Sequence, residues 1–249
     1  MFSFIWHSFF FDPIYNSLVF CIDVVRGGDV GIAIVLTVIA VKLVLLPISL
    51  KAARTQLLMN QMEPKMTEIK EKYKDNREEQ ARRTLELFQA NKVNPFSSIL
   101  LLLIQLPIVI ALYFAVSSGG GIPLPAINTD ILYTFIPTPE TVSMFFLGIM
   151  NITEKSLFLA LLAGMTQFIH TYLSMPKLAP RDMSKAQSFK DDFNRSLQLQ
   201  MRYVMPIIII VAAYTISAAI ALYFTISNLM SIGQEFVVRH KGLKIQPKL

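Results

Sequence analysis

The chain has 249 residues, of which 53% are hydrophobic and only 16% are charged, and its formal net charge is +6. Soluble domains carry about a quarter charged residues, so this composition excludes an ordinary soluble enzyme and indicates an integral membrane protein. One cysteine, three scattered histidines and the lack of a glycine-rich phosphate loop or GxSxG motif lead us to expect no catalytic, cofactor-binding or metal-binding residues.

Residues 1–29 are interpreted as an outer interfacial helix followed by a turn. Asp12-Pro13 is typical of a helix start. A helix over 14–25 would be about 18 Å long, which is too short to cross a bilayer. We therefore expect it to lie on the membrane, with Gly27-Gly28 turning the chain into the first span.

The first transmembrane helix is predicted over 30–50, where Thr37, Lys42 and Ser49 are the only polar residues. Such a helix is about 31 Å long, and Lys42 would lie about 13 Å from its nearer end. A lysine near a span centre costs about 2.5–3.5 kcal/mol, so we expect Lys42 to face a polar interior. The alternative is a structural lysine that snorkels to the interface or pairs within the bundle.

Residues 51–94 carry ten of the 23 basic residues, so this segment is predicted to lie outside the bilayer. Apolar residues recur at spacings of three and four, and Asp75-Asn76 then interrupts the pattern. This periodicity predicts a two-helix hairpin of coiled-coil type. Pro64 is expected to kink the chain between the span and the hairpin.

The remaining transmembrane helices are predicted over 95–117, 156–175 and 203–238. The last stretch is split near 215–217 into two antiparallel spans, because a single helix of about 54 Å would overrun the bilayer. Its first half, 203–216, would be only about 21 Å long, which implies local thinning of the bilayer. Between the spans we expect an outer loop at 118–155, with a short interfacial piece at 144–150, and a cytoplasmic loop at 176–202.

Charge sets the expected topology. Twenty of the 23 lysines and arginines fall in 51–94, in 177–202 and after residue 235. The positive-inside rule therefore makes these segments, including the basic tail 239–249, cytoplasmic and leaves the N-terminus outside. The predicted fold is an all-α polytopic membrane protein with five transmembrane helices, an N-terminal interfacial helix and a cytoplasmic coiled-coil-like helical hairpin.

Several motifs together resemble the YidC/Oxa/Albino family of membrane protein insertases. They are Lys42 five positions before Pro47, KVNPF at 92–96, LLIQLPIVIALYF at 102–114 and LYFTISNL at 222–229. The resemblance implies a protein of the bacterial plasma membrane and a short form, without the large extracytoplasmic domain of some bacterial members. It also implies that the protein is an insertase and chaperone, not an enzyme, and that it needs no cofactor. Such an insertase moves polar outer segments of client proteins through a hydrophilic groove while their apolar helices enter lipid.

The resemblance also implies site residues and partners. Lys42, Gln105 and Tyr223 occupy positions that match the motifs and are the expected groove contacts, while Gln167 and Ser217 join them on polarity alone. The family usually has arginine at the position of Lys42, and a lysine lacks the bidentate fork for carboxylates. The implied partners are newly made membrane proteins, the lipid bilayer and, through the helical hairpin and basic tail, the ribosome and a secretion channel.

Two other functions fit parts of the sequence. In a small transporter or channel, Lys42 and His170 would pass an anion or protons, although no inverted repeat is visible. In a passive scaffold, the helical hairpin would recruit a soluble partner and Lys42 would be incidental.

Overall fold

A computed structural model describes residues 2–94, 96–175 and 195–242. These residues are mostly helical, as expected for an all-α membrane protein. The helices are α1 (Phe2–Trp6), α2 (Asp12–Val24), α3 (Val30–Val44), α4 (Leu46–Lys72), α5 (Arg77–Ala90), α6 (Phe96–Ser117), α7 (Leu157–Ser174), α8 (Arg195–Ile216) and α9 (Ala218–Gly242). Two short antiparallel strands, β1 (Phe145–Phe146) and β2 (Met150–Asn151), form a β-hairpin. The expected helix start at Pro95, most of the expected loop 176–202 and the end of the tail 239–249 lie outside the described residues.

Two of the described helices, α7 and α8, are each long and apolar enough to cross a membrane. The pair α3 and α4 meets the same test when it is taken together across a bend of 68°. Leu103–Ser117, within α6, is a shorter apolar helix. The described part of the chain therefore has the apolar helices of a membrane protein.

The N-terminal helix is longer than the sequence indicated. The helical stretch runs from Phe2 to Val24, about 34 Å, with a π-helical turn at His7–Phe11 in which the Asp12 N–H bonds the His7 carbonyl. Pro13 has no N–H, and its ring would clash with the carbonyl four residues earlier, so the wider turn accommodates it without ending the helix. Helix α2 begins at Asp12, as the Asp12-Pro13 pair predicted, but the helical stretch continues upstream of it through the π-helical turn.

The continuous helix predicted over 30–50 is instead two helices, because α3 ends at Val44 and α4 leaves it at 68°. Pro47 explains the bend, since its ring cannot pack against the carbonyl of Leu43 in a regular helix. Pro64, where a kink was expected, lies inside α4. As a consequence, Lys42 lies in the last turn of α3 and not in the middle of a 31 Å helix.

Helix α8 is also longer than expected. It spans 22 residues, about 33 Å, and contains a π-helical turn at Gln200–Val204 just before Pro206. The chain breaks at Ser217, whose backbone is extended, close to the predicted split. The length removes the basis for expecting a fourth span of only about 21 Å.

The helical hairpin consists of α4 and α5, joined by a turn at 73–76. Helix α5 buries no side chain, so its own polar contacts sustain it. The Asn76 side chain caps its start by accepting the Glu79 N–H, and Glu79 pairs with Arg82 and Arg83 along the helix. The hydrogen bond from Arg82 holds the pKa of Glu79 below its usual range.

The segment between α6 and α7 covers one end of the bundle, which we call the loop end; the opposite end, where α4 begins, is the α4 end. The Tyr15 hydroxyl accepts the Asn128 N–H at 2.8 Å, and the Asn16 side chain accepts the Tyr133 N–H at 2.6 Å. At the far side of the segment, Ala218 donates to the Glu154 carbonyl. The loop end is therefore tied to both α2 and α9. The short interfacial piece expected at 144–150 is the β-hairpin.

Helices α7 and α8 pack closely because Gly164 leaves room for Ile210. A Cβ atom at Gly164 would lie 2.1 Å from Ile210 Cγ1 and 3.2 Å from the Pro206 carbonyl oxygen. Gly233, in α9, has no atom within 4 Å of the same position. The two glycines therefore form a matched pair, one packed and one open.

We expect Gly164→Ala to lower the free energy of unfolding by about 1–3 kcal/mol, because Ile210 or the α8 backbone must move. Gly233→Ala should leave stability unchanged or raise it by up to about 1 kcal/mol through helix propensity. Reversible unfolding of the purified protein in mixed micelles with increasing SDS measures both. Equal midpoints for the two variants would contradict the close packing.

Candidate functional site

Lys42 is the buried charge around which the site is built. Its residue is 8% exposed, and its position in the last turn of α3 places the ammonium near the negative end of the helix dipole. Lys42 Nζ donates to Gln105 Oε1 of α6 at 3.4 Å and to Ser231 Oγ of α9 at 3.3 Å. Three helices that are distant in sequence thus meet at one amino group.

Gln105 extends these contacts toward the loop end. Its Nε2 donates to the buried Tyr223 hydroxyl and, at 3.1 Å, to Ser227 Oγ. Ser231 in turn donates to the Ser227 carbonyl at 2.9 Å. We call these five residues (Lys42, Gln105, Tyr223, Ser227 and Ser231) the polar cluster.

Helix α9 contributes most of the cluster through residues spaced four apart. Such residues lie on one face of a helix, one above the other. The row continues past the cluster to the α4 end, over about 18 Å, as Tyr223, Ser227, Ser231 and Glu235. This polar stripe faces the inside of an otherwise apolar bundle.

Two cavities adjoin the polar stripe. The smaller has a volume of about 10 Å³, roughly one water molecule, and lies beside Lys42, Gln105 and Tyr223 among apolar side chains of α2, α3 and α6. The larger has a volume of about 340 Å³ and lies at the α4 end. Its polar lining residues are Ser49, Gln56, Gln167, His170, Thr171, Ser174, Ser231, Gln234 and Glu235.

Ser231 connects the cluster to the larger cavity, because it both lines that cavity and accepts a hydrogen bond from Lys42. Gln234, also in the lining, is buried and its Nε2 has no hydrogen-bond partner among the described residues. The larger cavity therefore offers polar groups that can be hydrated or can bind a polar ligand.

Side chains from α9 and α4 hold the rim of the larger cavity. The Arg239 guanidinium bonds Glu235 at 3.0 Å and also donates to the Leu173 carbonyl. Asn60 Nδ2 donates to the Ser174 carbonyl at 2.8 Å. The carbonyls that end α7 thereby find donors from two other helices, which fixes α7 against α4 and α9.

The structure brings some of the predicted site residues together and separates others. Lys42, Gln105 and Tyr223 share the polar cluster, and Gln167 lines the larger cavity, where it donates to Thr171. His170 lines the same cavity. Ser217 lies at the loop end, at the start of α9, and lines neither cavity, so we omit it from the candidate site.

Sequence reasoning missed Ser227 and Ser231. Neither serine stands out alone, because Ser227 lies in the mixed run Thr225–Asn228 and Ser231 follows Leu229 and Met230. Their spacing from Tyr223 and Glu235 is the signal that could have identified them, because four polar residues at i, i+4 in a membrane helix define one face. Among the described residues, no group of three or more His, Cys, Asp or Glu side chains is placed to hold a metal ion.

Residues 22–245 match the family model described as 60Kd inner membrane protein. The chain is 30% identical over 239 residues to "Membrane protein insertase YidC" of Oceanobacillus iheyensis, which covers 94% of this chain and 83% of that protein. It is 29% identical over 249 residues to "Membrane protein insertase MisCA" of Bacillus subtilis, covering 98% and 82%, and 28% identical over 209 residues to "Membrane protein insertase YidC" of Clostridium tetani, covering 84% and 81%.

Loss of the hydrogen bonds in the polar cluster is expected to lower the free energy of unfolding. Gln105→Leu removes an acceptor from Lys42 and the donor to Tyr223 and Ser227, so buried polar groups lose their partners. We expect the free energy of unfolding in SDS-containing micelles to fall by about 1–3 kcal/mol. Gln89→Leu makes the same change on the exposed surface of α5 and should have little effect. Equal losses for the two variants would show that the cluster contributes no stability.

Proposed function

Because the chain belongs to the 60Kd inner membrane protein family, that of the YidC/Oxa/Albino insertases, we propose that it is a membrane protein insertase and chaperone. It carries polar outer segments of client proteins through a hydrophilic groove within the membrane. The apolar helices of those clients pass from the groove into lipid. Lys42 attracts the polar segment, and Gln105 and Tyr223 line its path.

One observation carries this proposal: Lys42 bonds Ser231, and Ser231 lines a polar cavity of about 340 Å³. A lysine surrounded by lipid is costly, whereas a lysine in contact with water or polar groups is not. The cavity supplies such an environment next to the charge. A client segment entering there would exchange bulk water for hydroxyl, amide and ammonium groups, which lowers the barrier to leaving the aqueous phase.

The proposed orientation follows the charges. Twenty of the 23 lysines and arginines lie in the segments 51–94, 177–202 and after residue 235, so we place the α4 end in the cytoplasm. In this arrangement α3, α6, α7, α8 and α9 are the five spans, and the N-terminus and the loop end are outside. The larger cavity then opens toward newly made, still unfolded clients.

Insertion by this route needs no cofactor. Transfer of an apolar helix to the membrane is favourable by about 0.3–0.6 kcal/mol for each Leu, Ile, Phe or Val. That gain opposes the cost of moving the attached polar segment. The protein lowers the free-energy cost of moving the polar segment into the membrane. Lys42 lowers it most for acidic segments, because unlike charges attract.

The helical hairpin and the basic tail are the proposed contacts for the ribosome and a secretion channel. In the hairpin, no residue of α5 is buried, and its six charged side chains lie between Arg77 and Glu86. A highly charged surface of this kind suits electrostatic encounter with RNA or protein.

The proposal predicts that Lys42→Gln impairs clients selectively. Insertion of a client with an acidic outer tail should fall several-fold, while a matched client with a neutral tail changes little, because only the first loses an attractive charge. Lys42→Arg keeps the positive charge and should therefore insert clients with acidic tails normally. Protease protection of radiolabelled clients in proteoliposomes measures insertion.

Lys51→Gln is the matched control, since it removes an exposed lysine from α4. Both client types should insert normally with this variant. Equal impairment of acidic and neutral clients by Lys42→Gln would indicate a purely structural lysine. Normal insertion of both would contradict the proposed role of Lys42.

A further inference from the structure

We propose that the tip of the β-hairpin, residues 147–149, inserts into the outer leaflet of the membrane and anchors the loop end in lipid. The idea goes beyond insertion of clients and concerns how the insertase itself is held at its outer face. It rests on α3 crossing the bilayer with its N-terminus outside.

The β-hairpin is fixed beside the first turn of α3. The Asp29 carboxylate accepts the Ile32 N–H at 3.0 Å, which caps α3, and it also accepts the Leu147 N–H at 2.7 Å. The Phe146 ring packs on Gly31, where a Cβ atom would lie 2.4 Å from Phe146 Cδ2. The tip is thus held at the depth at which α3 enters the membrane.

A second attachment secures the other side of the β-hairpin. The N–H groups of Ala218 and Ala219, which open α9, donate to the carbonyls of Glu154 and Ile152 at 2.7 and 2.9 Å. These bonds satisfy donors that a helix start leaves free. Held at both α3 and α9, the β-hairpin has a defined position at the loop end.

The side chains that the β-hairpin presents are apolar and exposed. Phe145 is 51% exposed, Leu147 60% and Ile149 81%. The surrounding sequence, 141–153, contains no charged residue, and Glu140 and Glu154 flank it. An exposed apolar surface with this composition is unfavourable in water and typical of an interface with lipid or protein.

The backbone donors of the tip favour lipid as the occupant over a strand added from a second copy. The N–H of Leu147 bonds Asp29, that of Gly148 bonds the Phe145 carbonyl at 3.5 Å, and that of Ile149 bonds the Phe146 carbonyl at 3.0 Å. Each tip donor is therefore satisfied within the protein, as the lipid phase requires. These donors are unavailable for adding a strand from a second copy.

The chain's single tryptophan, Trp6, allows a direct test. In a Trp6→Phe background, Ile149→Trp and, separately, Leu147→Trp report the surroundings of the tip by fluorescence. The full-length protein is reconstituted at low density into phosphatidylcholine vesicles brominated near the headgroup end of the acyl chains. We expect both tryptophans to lose more than half of their intensity relative to unbrominated vesicles, and bromine near the chain terminus to quench them less.

Two controls calibrate the measurement. Glu140→Trp, next to the uncharged segment, should remain unquenched, and Val211→Trp, on the exposed apolar face of α8, should be quenched. Absence of quenching at both tip positions while Val211→Trp is quenched would overturn the anchor but leave the proposed spans intact; the tip would then face water or a second copy. Absence of quenching at Val211→Trp as well would refute the spans and the anchor together.

Discussion

The buried ammonium of Lys42 is the constraint on which the arrangement of the bundle depends. An isolated charge in an apolar interior costs several kcal/mol, so the surrounding helices must supply partners. Gln105 of α6 and Ser231 of α9 do so directly, and Tyr223 and Ser227 satisfy Gln105 in turn. Each helix is therefore fixed relative to α3 by hydrogen bonds as well as by apolar packing.

Much of this site follows from the sequence. A lysine and a glutamine in apolar spans stand out because each must find a polar partner, and Lys42 and Gln105 do bond each other. The apolar runs likewise predict membrane helices, as α7 and α8 show. The match of residues 22–245 to the 60Kd inner membrane protein family agrees with the resemblance read from the motifs.

Other features depend on tertiary structure that hydropathy does not encode. Pro47 accompanies a bend of 68° that places Lys42 at a helix end. Pro13, Pro64 and Pro206, in contrast, lie within helical stretches that continue past them. The sequence does not distinguish these two outcomes. Ser217 is as polar as Ser231, yet only Ser231 belongs to the candidate site, because Ser217 precedes α9 at the loop end. Polarity therefore identifies candidates, and their position along the bundle selects among them.

The proposed groove requires that the polar stripe of α9 is reached from the cytoplasm through the larger cavity. Labelling of Ser231→Cys, in a Cys21→Ser background, with a membrane-impermeant maleimide tests it most directly. We predict labelling in inside-out vesicles and none in right-side-out vesicles, while Val211→Cys, on the exposed apolar face of α8, stays unlabelled in both. Protection of Ser231→Cys in both orientations, or labelling only from outside, would contradict the account.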